Sequence, residues 1–139
     1  MKINVLNLSL ILLLLFAITI NSCKKDSTNS DYPTLSMTAP TSSTMPSSGQ
    51  MIHIAGTATA SGTDDAHLLH ELSFTVKKQS DNSIYWQAVV SVHDLQTYTI
   101  DTMFAAPTVA ANTDYVLYDS LVNHLEKYAT DQVTFSVIP

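Results

Sequence analysis

The sequence predicts an all-β domain, in which about seven strands form a sandwich of two antiparallel sheets. Apolar and polar residues alternate with a period of two through most segments after residue 34, as expected for strands with one buried face. Glycine, proline and short polar side chains separate these segments at intervals of about 8–12 residues. A sustained helical stripe of apolar residues is absent from the sequence after the first 20 residues. We therefore expect paired strands and short connections over residues 33–139.

The first half of this region contains four predicted strands and one predicted hairpin. The strands lie at residues 35–39, 52–59, 72–77 and 84–92. Pro40 ends the first strand, because proline has no N–H to donate to a neighbouring strand. The stretch 79–83, Gln-Ser-Asp-Asn-Ser, predicts the turn of a hairpin between the third and fourth strands, since Asp and Asn tolerate left-handed backbone.

The second half contains three further predicted strands, at residues 98–104, 115–121 and 133–137. Residues 105–112, which include Pro107, predict the connection between the first two of these. A helix over residues 119–128 is the only helical alternative. The preceding Asp-Tyr-Val-Leu, residues 114–117, argues against this helix.

The end of the chain resembles immunoglobulin-like domains. In that family a tyrosine opens the penultimate strand and a core residue follows two positions later, which here correspond to Tyr115 and Leu117. Residues 115–137 resemble the final hairpin of bacterial members, although His-Leu-Glu-Lys at 124–127 replaces their usual turn. The resemblance implies that residues 33–139 form an immunoglobulin-like β-sandwich.

The start of the chain resembles a lipoprotein leader of the Bacteroidetes type. Lys2 is followed by an apolar stretch that ends shortly before Cys23, the only cysteine. The uninterrupted apolar core, residues 10–18, is much shorter than the roughly 20 residues that span a bilayer, which disfavours the alternative of a retained membrane anchor. The resemblance implies that residues 1–22 are a cleaved signal helix and that lipid is attached to Cys23. Residues 23–32 would then form a flexible tether.

Lipid on Cys23 would make a membrane the first partner of the protein and would place the chain in the bacterial cell envelope, with the outer membrane favoured. The net charge of −6 and the absence of arginine argue against a nucleic-acid partner, because such proteins neutralise phosphates with clustered basic residues.

Four histidines form a candidate metal site. His67 and His70 lie in or beside the second connection of the predicted sandwich, His93 lies in the fourth, and His124 lies in the sixth. These three connections gather at one end of a seven-stranded sandwich, whereas His53 belongs to the other end. Imidazole is a good ligand for zinc or copper. The alternative is that each histidine is simply a solvated loop residue.

Catalysis is not expected from this sequence. It contains three glycines, no Gly-x-Ser-x-Gly motif and no glycine-rich phosphate loop. The favoured function is therefore a lipid-anchored binding or scaffolding module of the envelope, whose partner is an envelope protein or a glycan. Two alternatives stay open: a metal-binding lipoprotein that uses the loop histidines, and an accessory subunit that joins an envelope complex through an exposed strand edge.

Overall fold

The computed structural model describes residues 30–139, so the predicted signal helix, Cys23 and most of the predicted tether lie outside the described residues. Residues 30–139 form seven strands and one turn of 3-10 helix. The strands are β1 (Thr34–Ala39), β2 (Met51–Thr59), β3 (Leu69–Lys78), β4 (Ile84–Ser91), β5 (Thr97–Ala105), β6 (Thr113–Asn123) and β7 (Tyr128–Val137). The 3-10 turn, Asp65–His67, precedes β3. Across residues 30–139 we find no helix with the length and apolar character needed to cross a membrane.

The strands form two antiparallel sheets that face each other. One sheet has the order β1-β2-β5, and the other has the order β4-β3-β6-β7. Every pairing between these strands is antiparallel. This arrangement confirms the predicted immunoglobulin-like sandwich. It also excludes the helical alternative for residues 119–128, which form the end of β6, a turn and the start of β7.

The core lies between the sheets and follows the predicted alternation. Strand β3 buries Leu72, Phe74 and Val76, and strand β6 buries Leu117 and Leu121 against them. Each fully buried side chain of this size stabilises the fold by about 1.5–3 kcal/mol relative to its exposed state. The β2–β5 side of the core contributes Ile52, Ile54, Ala58, Ile100 and Phe104.

Two sequence-based predictions about the hairpins were wrong in detail. The alternation of the predicted strand 84–92 puts Ile84 on the same inner face as Trp86 and Ala88, but Ile84 is 56% exposed. A bulge between Val76 and Lys77 pairs Val76 with Trp86 and Lys77 with Ile84, which reverses the face of Ile84. The last strand starts at Tyr128 rather than Val133, because residues 128–132 pair with β6 despite their polar composition.

Gly56 allows close approach between β1 and β2. A Cβ atom added at this residue would lie 2.5 Å from the backbone oxygen of Ser36. We therefore expect Gly56→Ala to displace β1 and to lower the free energy of unfolding by about 1–3 kcal/mol, the usual cost of overpacking. Urea unfolding would measure this loss, with Ala55→Gly as a control that changes the same strand without the clash. Unchanged stability in Gly56→Ala would show that β1 moves freely.

Candidate metal centre

Three loops meet at one end of the sandwich, which we call the histidine end. They are the β2–β3 connection (residues 60–68), the β4–β5 connection (residues 92–96) and the β6–β7 turn (residues 124–127). His70 is the second residue of β3, whereas His93 and His124 lie just beyond the ends of β4 and β6. The fold therefore brings together three imidazoles that are far apart in the sequence.

His70, His93 and His124 form a compact triad. The ring centroids of His70 lie 5.0 Å from those of both His93 and His124, and the centroids of His93 and His124 lie 4.5 Å apart. Each of the three residues offers one ring nitrogen, and these three nitrogens all lie within 4.8 Å of one another. Because all three rings are tilted against each other rather than stacked face to face, their nitrogens can converge on one point.

The β4–β5 connection is held against the start of β3 by backbone hydrogen bonds. The Asp94 N–H donates to the Leu69 carbonyl at 3.0 Å, and the Leu69 N–H donates to the Leu95 carbonyl at 2.9 Å. Asp94 adopts left-handed backbone with φ of 64°, a conformation that Asp and Asn tolerate better than most residues. This tight turn places His93 beside His70.

The β6–β7 turn is built around Asn123, whose side chain is almost fully buried at 1% exposure. Its Oδ1 accepts hydrogen bonds from the N–H groups of Leu125 at 3.1 Å and Lys127 at 3.0 Å. The His124 N–H donates to the Leu68 carbonyl at 3.3 Å. These contacts fix the backbone on both sides of His124 and so fix the position of the third imidazole.

The carboxylate of Asp94 lies beside the triad. Its Oδ1 accepts a hydrogen bond from His93 Nδ1 at 2.9 Å and lies 3.2 Å from His124 Nε2. The second contact has the distance of an ion pair but not the angle of a hydrogen bond. His124 Nε2 is consequently a buried nitrogen without a hydrogen-bond partner among the described residues. An unsatisfied buried ring nitrogen is available to a ligand.

His67, the fourth histidine of the predicted site, does not join the triad. Its Nδ1 lies 2.6 Å from Asp64 Oδ1, and its Nε2 lies 3.5 Å from Asp31 Oδ1. The hydrogen bond between His67 and Asp64 lowers the pKa of Asp64 and is the main reason that the pKa of His67 is raised. His67 belongs to the 3-10 turn while His70 belongs to a strand, so the predicted local pair does not form.

His53 lies away from the histidine end, near the start of β2. Its Nε2 contacts Asp101 Oδ1 at 2.7 Å across the β2–β5 pair, and both side chains are more than half exposed. This position agrees with the sequence-based expectation that His53 belongs to the other end of the sandwich.

Sequence reasoning missed two buried polar residues of β6, Asp119 and Asn123. Asn123 holds the turn that contains His124. In the sequence, its position directly before a polar turn was the only feature that could have indicated this role. Asp119 lies on the inner face, where both carboxylate oxygens lack a hydrogen-bond partner within the described part of the chain. Burial raises the pKa of Asp119 to about 7, and the neighbouring Asp131 adds to the increase.

Comparison with known proteins shows likeness of fold only. The structure is similar to fibronectin(III)-like modules of CbhA from Clostridium thermocellum, with 18% identity and a TM-score of 0.44 over 77% of this chain and 47% of that chain. This chain thus spans about half the length of that structure. A CARDB domain from Pyrococcus furiosus, solved in complex with di-metal ions, matches with 12% identity and a TM-score of 0.41, over 78% of this chain and 97% of that chain.

Murine CRIg matches with 10% identity and a TM-score of 0.41, over 77% of this chain and 97% of that chain. No protein-family model matches the sequence, and no curated protein matches it. The functional argument therefore depends on the geometry of the histidine end itself.

Proposed function

We propose that this domain binds one divalent transition-metal ion through His70, His93 and His124. The observation that carries the proposal is the convergence of three ring nitrogens within 4.8 Å of one another, from three separate parts of the chain. The side chain of His93 is 52% exposed, so burial in the core does not account for its place in the cluster. Nitrogen ligands of this type favour zinc and copper.

The triad needs only a modest adjustment to hold such an ion. Zinc–nitrogen bonds are about 2.0–2.1 Å long, so nitrogens at the corners of a tetrahedron lie about 3.3 Å apart. The three nitrogens already lie within 4.8 Å of one another, so binding would require them to move closer together by up to about 1.5 Å. The fourth position would go to water or to an external ligand.

Calorimetric titration of residues 27–139, which lack the Cys23 thiol, with Zn²⁺ and with Cu²⁺ tests this proposal. We expect one ion per chain, and weaker binding at acidic pH because protons compete for the imidazole nitrogens. An affinity weaker than about 100 μM, which corresponds to about 5.5 kcal/mol, would contradict the proposal. So would a stoichiometry of several ions, since that result indicates dispersed surface binding.

Asp94 is expected to raise the metal affinity of the triad through its hydrogen bond to His93, without being a metal ligand itself. When a neutral imidazole donates its Nδ1–H to a carboxylate, the other nitrogen keeps its lone pair for the metal. Replacing Asp94 by glycine removes this hydrogen bond and still allows the left-handed backbone of the turn, and loss of such a partner usually weakens metal binding about 10–100-fold. The same titration measures the effect. Asp64→Ala is the matched control, because it removes the carboxylate of a different His–Asp pair at the same end.

We also propose that lipid on Cys23 attaches the domain to a membrane of the bacterial envelope, where it acts as a binding module. The support is the leader pattern of Lys2, the short apolar stretch and the single cysteine. Two or more acyl chains give a stable anchor without a spanning helix. Mass spectrometry of the native protein should find acylated Cys23 as the first residue, and Cys23→Ser should release the protein from membranes. A native chain that retains residues 1–22 with a free thiol would contradict this placement.

A further inference from the structure

The described N-terminal segment, Ser30–Tyr32, docks at the histidine end. The buried side chain of Asn123 donates from Nδ2 to the Asp31 carbonyl at 2.7 Å, and the Ser61 hydroxyl donates to the same carbonyl at 3.1 Å. His67 Nε2 lies 3.5 Å from the Asp31 carboxylate. The β2–β3 connection and the end of β6 therefore hold the start of the domain between them.

Two further contacts reinforce this docking. The Lys127 ammonium lies 5.7 Å from the centre of the Tyr32 ring, within the range of a cation–π interaction. Strand β1 then begins at the same end, because Thr34 pairs with Thr59, the last residue of β2. The chain consequently enters the domain beside His124, whose preceding residue is the Asn123 that binds Asp31.

We infer that the histidine end is the membrane-facing end of the domain, so that the triad opens toward the lipid surface. This inference rests on the proposed attachment at Cys23. Six residues lie between Cys23 and Ser30, and the seven Cα–Cα steps of a fully extended chain span at most about 25 Å. Strand β7 has 10 residues and is therefore about 33 Å long. Because the tether is shorter than the domain, the domain cannot stand upright with its opposite end on the membrane, whereas it can stand upright with the docked end there.

This orientation determines the side from which a metal ion reaches the triad. A metal ion would enter or leave the triad through the space between the domain and the headgroups. The surface that carries the triad is acidic, with Asp64, Asp65, Asp94 and Glu126 in or beside its loops. Charge alone would not draw it onto an anionic bilayer, so the covalent anchor and the docked segment set the orientation.

Paramagnetic relaxation in lipid nanodiscs tests the orientation without metal bound to the triad. The sample is ¹⁵N-labelled residues 23–139, with Cys23 coupled through a maleimide to phospholipid in phosphatidylcholine nanodiscs that contain a gadolinium-chelating lipid. We expect several-fold faster relaxation of the amides of Ser61, Leu95 and Leu125, at the histidine end, than of Gly49, Asp81 and Val109, at the opposite end. Equal or reversed relaxation would overturn the inference.

A second attachment point provides the matched control. Ser80 is exposed in the turn between β3 and β4, at the opposite end. Coupling the variant Cys23→Ser, Ser80→Cys through residue 80 should reverse the relaxation gradient, which shows that the method reports orientation. Chemical coupling supplies the anchor in both samples. Failure of native lipidation or of metal binding would therefore appear in their own experiments and not in this one.

Discussion

The double substitution His93→Ala, His124→Ala is expected to abolish specific zinc binding. It removes two of the three imidazoles that converge within 4.8 Å, and the remaining His70 cannot chelate an ion alone. Thermal unfolding measures the loss sensitively. A metal that binds only the folded state at 100 times its dissociation constant adds about 2.7 kcal/mol of stability, or roughly 10 °C in Tm for a domain of this size. The variant should show no such increase.

Controls for this prediction come from the two histidines outside the triad. His67→Ala removes an imidazole from the same end, and His53→Ala removes one from β2. Both variants should keep the stoichiometry and affinity of the wild type. If His67→Ala weakens zinc binding as strongly as His124→Ala does, the ligand set is different from the one that the geometry indicates.

Asp119→Leu is expected to stabilise the domain strongly at alkaline pH. The carboxylate is 2% exposed and lies between Leu117 and Leu121 on the inner face of β6, without a hydrogen-bond partner in the described structure. Removing an unsatisfied buried carboxylate eliminates its desolvation cost, and leucine continues the apolar surface of the strand. We expect a gain of about 2–3 kcal/mol at pH 8, with an increase of about 10 °C or more in Tm.

The effect of Asp119 should depend on pH in a defined direction. Its pKa is about 7 in the folded chain and 3.8 in the reference state, so the folded state binds more protons between these values. The free energy of unfolding therefore falls as pH rises from about 3.8 and levels off above about 7. The full shift in the pKa of Asp119 corresponds to about 4 kcal/mol of stability, at about 1.36 kcal/mol per pKa unit. Solvent access beside exposed Asp131 reduces this loss of stability to about 2–3 kcal/mol.

Urea unfolding at pH 5 and pH 8 measures this dependence. The wild type should lose stability between the two values, and Asp119→Leu should lose less, because it keeps only the part that comes from His67, whose raised pKa also makes stability fall as pH rises. Asp131→Asn is the matched control, because it removes only the neighbouring charge and should lower the pKa of Asp119 by a smaller amount. An equal pH slope in wild type and Asp119→Leu would show that Asp119 is ionised at little cost in the folded chain.

The carboxyl groups whose pKa is lowered affect the free energy of unfolding in a different pH range. Hydrogen bonds from His67 and Ser83 lower the pKa values of Asp64 and Asp81 below 3.8. Their stabilising contribution is present above pH 3.8 and is lost as pH falls through their folded-state pKa values. Acid unfolding below pH 3.8 therefore does not interfere with the Asp119 measurement.

The fold class was predictable because strand periodicity is a local property. Alternation placed Leu72, Phe74 and Val76 on one face, and the structure buries all three. The order of the connections also indicated which loops share an end. Alternation failed at Ile84, because a bulge adds a residue to one strand and only the register of the pair reveals it. It also gave no reason to place a carboxylate in the core at Asp119.

The sequence by itself determined the all-β architecture, the turn positions and the histidines that lie in the loops, since these follow from the chemistry of neighbouring residues. Only the tertiary structure decided that His70, His93 and His124 meet while His67 pairs with Asp64 and Asp31. The tertiary structure also decided that the chain enters the domain beside Asn123. Distances between side chains depend on loop backbone and strand register, which long-range hydrogen bonds set and local sequence patterns do not encode.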